Sequence, residues 1–362
     1  MAWYGVDPFR VENNIVRKLG MKIRTQDQIM QLWREAAQPK VTIGCITFNQ
    51  HEYIEQTLKG FLMQETDFPF EILIHDDAST DGTAEILRAY EARYPQLIRT
   101  ICQTENQHTL GRGITGSFIF PNVRGDYVAL CEGDDYWTDP LKLQKQVGAL
   151  ERNADCNLCV HPVRKKHGIC GDDTGVLGEL NGREEVSSVQ FLVNWKMHNI
   201  PTASVMLRSS MLRRKELAEY FQKNSGSWLI KFVGAMDGGA VFLPDVMGVY
   251  RVGAKGSYTE RVGNSYELDL KYMNLFLSAL EQLDELTDKR FTPLLKTIKS
   301  YRVHASLMRK DIPEPVKQQM YQQYGCYLTE LQKALFHFPW LSKLWILVLR
   351  IKGKMLKLIN LR

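Results

Sequence analysis

Glu71-Ile-Leu-Ile-His-Asp76-Asp77-Ala-Ser79-Thr-Asp81-Gly82-Thr83 and, about fifty residues on, Tyr127-Val-Ala-Leu-Cys-Glu132-Gly-Asp134-Asp135-Tyr-Trp137 decide the fold. Each is a short apolar run of β character that ends in carboxylates. Carboxylates at strand ends are where an open α/β sheet binds its ligands. In the first stretch Ser79, Thr80 or Asp81 can cap a following helix, and Gly82 relieves the turn into it. The second is a compact acidic turn with its oxygens facing outward. One acidic turn after a strand is ordinary, because Asp, Ser and Gly are turn formers. Two, in this order and at this spacing, suit a ligand that offers hydrogen-bond donors at one end and a diphosphate, held through a divalent cation, at the other.

Outward from these stretches the pattern alternates. A strand over Val41–Thr47 precedes a helix from His51 to Gln64, whose Ile54, Leu58, Phe61 and Leu62 share one face. The strand Glu71–Ile74 leads to a helix from Thr83 to Tyr94, and a strand near Leu97–Cys102 follows. After the strand Tyr127–Cys131, Pro140 opens another helix at the turn where proline is tolerated. Leu158–Val163 reads as one further strand. Strands alternating with helices define an α/β class with a mostly parallel sheet covered by helices on both faces. Upstream, Gln26–Ala37 has helical spacing with Ile29, Leu32, Trp33 and Ala36 on one face, and Pro39 ends it. Downstream, Ser265 to about Arg309 turns helical, with Tyr272, Leu275, Phe276, Ala279, Leu280 and Leu283 on one stripe.

Two local patterns invite other readings. Gly111-Arg-Gly113-Ile-Thr-Gly116 has the spacing of a dinucleotide fingerprint, but Thr104–Thr109 separates it from the preceding strand, which is not the first of its sheet. It reads instead as a flexible loop near a donor's phosphates, within reach of Arg112. It also lacks the lysine of a triphosphate-cradling loop. Cys156, Cys159, His161, His167 and Cys170 begin like half a zinc site, yet strand alternation turns Cys156 away from Cys159 and His161. The seven cysteines are odd in number and scattered, which indicates a reducing compartment and no disulfide framework.

The pieces Val41-Thr-Ile-Gly-Cys-Ile-Thr47-Phe-Asn49, Asp76 to Thr83, and Gly125-Asp126-Tyr127 leading into Glu132-Gly-Asp134-Asp135 resemble the inverting family-2 glycosyltransferases of GT-A fold, densely from about Val41 to Arg152. The resemblance implies a nucleotide-sugar donor, with Thr47, Asn49, Asp76 and Asp77 lining the base and ribose pocket. It implies Mg²⁺ or Mn²⁺ on Asp134, with Glu132 in the place of the first Asp of the family's Asp-x-Asp, and Asp135 as a further carboxylate for the metal's water shell or a sugar hydroxyl. Asp81 reads as the helix cap. Two departures stand on the acceptor side. Many relatives carry Asp before Trp where this chain has Ser227-Trp228, and Tyr250-Arg-Val-Gly253 has glycine where the family has histidine. A serine hydroxyl is no base near neutral pH, so Asp237, Asp245 and His198 become the candidates for the catalytic base. Asn199-Ile-Pro201-Thr202-Ala-Ser204 resembles the family's acceptor-side strand. The expected organisation is a helical extension 1–39, a glycosyltransferase domain 40–255 (donor half 40–152, acceptor half 153–255), a helical region 256–330 and a tail 331–362.

The composition, 44% hydrophobic and 24% charged over 362 residues, is that of a soluble globular chain larger than one core. The start lacks the basic and apolar regions of a signal peptide, and the tail's longest apolar run, Leu344–Leu349, is far short of the roughly 20 residues of a membrane span. From Trp340 to Arg362 there are six cations and no acid, more than the whole chain's net charge of +5. On a helix, Leu341, Leu344, Trp345, Val348, Met355 and Ile359 would form an apolar face opposite Lys343, Arg350, Lys354 and Lys357, a pattern drawn to anionic lipid. With the positive charge confined there, nucleic acid is not an expected partner. The expectation is a cytoplasmic enzyme, peripheral at the inner face of the membrane, that moves a sugar to a glycan or lipid-linked acceptor in bacterial surface polysaccharide assembly. Ser227 and Gly253 keep open a catalytically silent nucleotide-sugar-binding or scaffolding subunit. A nucleotidyltransferase would need a basic Gly-rich loop after the first strand, and Thr47-Phe-Asn-Gln-His51 is not one.

Overall fold

The structure, a computed structural model, describes residues 24–34, 38–168, 171–180, 182–194, 197–224 and 226–338. The chain divides into two compact units, the first ending at Ser257 and the second beginning at Tyr258. In the first, a short helix α1 (Gln26–Met30) precedes β1 (Val41–Thr47), α2 (His51–Leu62), β2 (Phe70–Asp76), α3 (Thr83–Arg93), β3 (Ile98–Cys102) and β4 (Tyr127–Glu132). Then come β5 (Tyr136–Trp137), α4 (Lys142–Arg152), β6 (Leu158–Val160), β7 (Val163–His167), β8 (Asp173–Leu177) and β9 (Glu185–Ser187). The acceptor-side elements are β10 (Met206–Arg208), α5 (Lys215–Lys223), α6 (Ser227–Ala235), β11 (Ala240–Phe242) and β12 (Gly248–Val252).

Among the described residues the main sheet has eight strands in the order β3-β2-β1-β4-β10-β6-β11-β9, and a second sheet has β5-β12-β7-β8. β3, β2, β1 and β4 are parallel, β10 runs antiparallel between β4 and β6, and β11 is parallel to β6. This is the mostly parallel, helix-flanked sheet that the alternation predicts. β1 and β2 are buried along almost their whole length, as strands covered on both faces must be. The polar exceptions are paired: the Thr42 hydroxyl donates to Glu71 at 2.8 Å, and Glu71 lies 3.6 Å from Arg99 and from Arg124. Trp137, fully buried at the end of the acidic turn, packs edge-on to Phe61 and donates its indole N–H to the Ala203 carbonyl at 2.8 Å.

Three expectations shift. α1 stops at Met30, held at its start by a capping box between Thr25 and Gln28, while 35–37 lie outside the described residues. The strand expected over Leu158–Val163 is two strands in two sheets, because Pro162 has no N–H to continue a ladder and the chain changes sheets there. In the second unit, α7 (Tyr266–Leu286), α8 (Thr292–Leu307), α9 (Glu314–Tyr324) and α10 (Glu330–His337) pack around Met273, Leu277, Val303, Leu307 and Met320. Half of the expected stripe, Ala279, Leu280 and Leu283, is buried as expected, while the rest shifts to Met273 and Leu277, and Leu275 is 56% exposed. Inside this core Asp269 accepts from Arg302 at 2.6 Å and from Ser306 at 2.7 Å. No helix among the described residues is long and apolar enough to cross a membrane. The tail from Leu341 lies outside them.

Candidate functional site

Parallel registration draws the motif residues into one line. Thr47 sits beside Asp76, and Ile46 beside Glu132, so the carboxyl ends of β2, β1 and β4 finish together. The loop after β2 is organised by its own side chains. Asp76 accepts from the Ser79 hydroxyl at 2.5 Å and the Ser79 N–H at 3.0 Å, and burial pushes its carboxyl up despite those bonds. Asn49 has a left-handed backbone, φ 52°, which asparagine tolerates. Its amide oxygen accepts from Thr80 N–H and its own N–H donates to Ser79, both at 2.8 Å. Asp77 accepts from the backbone N–H groups of Gln107 at 2.7 Å and His108 at 3.1 Å. The N-cap of α3 is Gly82 and not Asp81, but the Asp81 carboxylate just before it accepts from Thr83 N–H at the start of α3 and from His51 N–H at the start of α2, both at 3.0 Å. Burial raises its pKa, and the bonds from Thr83 and His51 outweigh this and hold it low.

The acidic turn is packed from three sides. Gly133 is required by close approach, since a Cβ would lie 2.7 Å from Thr47 Oγ1 and against Gln50 Oε1. Thr57 of α2 donates to the carbonyls of Gly133 at 2.9 Å and Asp135 at 2.6 Å. Arg251 of β12 donates to the Asp134 carbonyl and to Gln56, and its own N–H bonds Asp135 Oδ1 at 2.8 Å. Asp134 Oδ1 and Asp135 Oδ2 are buried with no partner. Burial, then the charge of Glu132, raises Asp134 to about 7. Burial and the two neighbouring carboxylates push Asp135 well above the usual range. Glu132 is half-buried, and burial raises it too, against a 3.0 Å bond from Thr202 and the charge of Lys231.

Two orphaned buried carboxylate oxygens in one turn fit a hard divalent cation, which can be held by one or two carboxylates together with a ligand's phosphates. Among the described residues no three acidic, histidine or cysteine side chains converge as a ready-made metal cage. The fit therefore rests on the Asp134 and Asp135 pair, while Glu132 leans towards Thr202.

The remaining sequence candidates are dispersed. Arg112 is exposed. Its loop does not cradle phosphate with its glycines: a Cβ on Gly113 would lie 2.5 Å from the Phe221 carbonyl, and one on Gly116 would overlap it, so these glycines let the chain pack against α5. Asp237 stands three residues before β11, at the amino ends of the parallel strands and thus at the edge opposite the acidic turn, 3.6 Å from Arg214. Asp245 follows β11 and is bridged by Lys145, 3.0 Å away, to Asp139. His198 lies in the 3₁₀ turn Met197–Asn199, just before Thr202. Gly253 has φ +68° with open space around its Cβ position. Cys156 donates to the Gly238 carbonyl, and the His161 ring is 2.9 Å from the Pro162 carbonyl; Cys170 lies outside the described residues. Sequence reasoning missed Gln50, Thr57, Thr202 and Lys231. Lys231, the lone charge in the apolar run Trp228–Ala235, was the legible signal, as was Thr57 within the buried face of α2.

The mostly parallel sheet flanked by helices is a fold of GT-A type. Over residues 42–214 the chain matches the model of glycosyl transferase family 2. It is 39% identical over 227 residues, 61% of its length, to an uncharacterized protein of Mycobacterium tuberculosis. The match spans 62% of that relative's own length. It is 34% identical over 109 residues, 30% of this chain and 41% of the other, to the putative teichuronic acid biosynthesis glycosyltransferase TuaG of Bacillus subtilis. Among solved structures, S. aureus TarS 1-349 in complex with UDP-GlcNAc shares the fold with a TM-score of 0.51 at 14% identity, over 83% of this chain and 86% of that one.

Proposed function

We propose that this chain is an inverting glycosyltransferase that moves a sugar from a nucleoside-diphosphate sugar to a glycan or lipid-linked acceptor in surface polysaccharide assembly. The observation that carries the reading is the pair of unpartnered, buried oxygens on Asp134 and Asp135 at the carboxyl edge of the parallel strands. In this reading the pair would hold Mg²⁺ or Mn²⁺, which would supply charge stabilisation to the departing diphosphate. Thr47, Asn49, Asp76 and Asp77 shape the pocket for base and ribose. Asp76 and Asp77 do so with carboxylates already oriented by Ser79 and by the Gln107–His108 backbone. Arg251 fixes the turn by donating to the Asp134 carbonyl and, from its own N–H, to Asp135 Oδ1. The likeness to TuaG and the UDP-GlcNAc complex of TarS support the donor and acceptor classes. In this reading acceptor deprotonation falls to His198 or Asp245, since Asp237 precedes β11 at the opposite edge of the sheet. The basic tail would seat the enzyme on the inner face of the membrane.

The test is binding of a panel of nucleoside diphosphates and nucleotide-sugars, with and without Mn²⁺, to wild type and Asp134→Ala. Metal-dependent binding of one nucleotide, lost in the variant, is expected; a folded protein that binds none would sink the assignment. Ser227, in the place of the resembled family's Asp, favours a second reading, a silent donor-binding subunit. Donor binding without turnover over a range of acceptors would select it.

A further inference from the structure

The segment 103–113 leaves β3 at the carboxyl edge of the parallel strands, the edge at which β2 ends in Asp76 and Asp77. It has no strand or helix of its own, yet it is tied at both ends. Gln103 N–H donates to the Asp76 carbonyl at 2.9 Å, and Gly113 N–H donates to the Gln222 carbonyl of α5 at 3.1 Å. Its middle hangs on one side chain. Asp77 is buried, and its Oδ1 accepts from Gln107 N–H at 2.7 Å while its Oδ2 accepts from His108 N–H at 3.1 Å. The Asp77 carbonyl accepts from the Asn106 side-chain amide at 3.0 Å. Both carboxylate oxygens are thus engaged by the loop. The loop then closes on itself: the Gln107 carbonyl accepts from Arg112 N–H at 3.2 Å, and the His108 carbonyl accepts from Gly111 N–H at 3.0 Å. One residue, Gln107, therefore joins the Asp77 carboxylate on its N–H side to the Arg112 backbone on its carbonyl side. The Arg112 side chain is exposed, and its guanidinium has no hydrogen bond or ion pair among the described residues.

Resting on the donor-site reading above, we propose that Asp77 is a positioning residue: it shapes the donor pocket by anchoring this loop and presenting Arg112 to the donor's diphosphate, and its carboxylate does not touch the base. Hydrogen bonds from backbone N–H groups to an ionised carboxylate are short and strong, so the anchor is stiff. A guanidinium with a tethered backbone and an unspent head suits a phosphate, which it can meet with two parallel N–H groups. Asparagine at position 77 keeps the shape of the side chain but turns one oxygen into an NH2 group. That group must face Gln107 N–H or His108 N–H, donor against donor. Arg112 then loses its position and keeps its charge.

The experiment compares wild type, D77N, R112A, D77N/R112A and G111A in excess Mn²⁺. UDP and GDP are the diphosphate probes, read by calorimetry, and uridine and guanosine are the probes without phosphate, read by saturation-transfer NMR. R112A is expected to weaken the bound diphosphate about tenfold and its nucleoside by less than about twofold. D77N has the same effect on each probe. The double variant stays within about twofold of either single one, because both remove the same contact. A merely structural defect would weaken both probes and multiply with R112A. D77N that weakens the nucleoside as much as the diphosphate overturns the proposal, since Asp77 would then touch the base, and so does a double variant whose losses multiply. Gly111, at φ +81° with open space around its Cβ position, covers the case in which D77N does not fold. G111A strains only the turn, and is expected to weaken the diphosphate about threefold and to spare the nucleoside; equal losses of both would overturn the proposal. Amide exchange of the nucleotide-free proteins gives a further arm, in which Gln107 and His108 exchange at least about tenfold faster in D77N than in wild type or R112A. Unchanged exchange there overturns the anchor. Folded wild type that binds neither diphosphate would overturn the donor-site reading, and the exchange arm would still decide the anchor.

Discussion

Asp81 shows how much of the local structure one side chain carries. By accepting from Thr83 and from His51 it starts α3 and α2 together, and losing a capping oxygen costs about 1 kcal/mol per helix end. Asp81→Ala is expected to lower stability by about 1–2 kcal/mol in denaturant melts, with nucleotide affinity less affected than by Asp134→Ala. Ala78 lies between the paired aspartates and Ser79 at φ +64°, a region that L-residues with a Cβ occupy at a cost. Ala78→Gly is expected to raise stability by about 0.5 kcal/mol; a lower melting temperature would show that the strain is not there to relieve. Lys142 is fully buried, 3.8 Å from the Trp137 ring centroid and bonded to Gln146. Burial pushes it down to about 7 from 10.5. Between those pH values the unfolded chain holds a proton that the folded chain lacks, so stability rises with pH across that window and the full penalty stands below pH 7. Lys142→Met should therefore gain most over wild type at pH 6 and progressively less towards pH 10, by more than about 1 kcal/mol over the range. Paired urea titrations at the two pH values measure it.

At the scale of elements, what was legible in the sequence was what local physics decides. β1, β2, β4, α2 and α3 appear where the apolar runs and caps place them, because each run is buried by its own period. The break of one expected strand at Pro162 and the displaced half of the α7 stripe were not legible, since both depend on which partner covers a face. The Gly-rich loop is the clearest case. Its spacing resembled a ligand motif, yet Gly113 and Gly116 are there because the Phe221 backbone of α5 passes too close for a side chain. Gly116→Ala should push α5 from this contact and lower stability by about 1–3 kcal/mol, the range for overpacking. Unchanged melting would mean that α5 gives way freely. The candidate site divides in the same manner. Its carboxylates could be picked out from the sequence because they cluster along the chain. Arg251 and Thr202 could not be given roles, because they reach the acidic turn from about seventy to more than one hundred residues away.

For the whole molecule, composition and charge left membrane attachment to the tail, whose structure lies outside the described residues. A chain ending at Phe338 is expected to lose co-sedimentation with phosphatidylglycerol vesicles while keeping nucleotide binding; equal sedimentation of both chains would remove the tail from the proposal. The route of the chain through its two sheets carries a mechanical consequence. β4 ends at Glu132 in the main sheet, β5 begins at Tyr136 in the second, and Gly133, Asp134 and Asp135 are all that joins them at that point. The two carboxylates with free oxygens therefore ride on a seam, and in the proposed reading a cation shared between them would be a rivet through it. Occupancy of the seam should be felt along β12 and β7 as slower amide exchange.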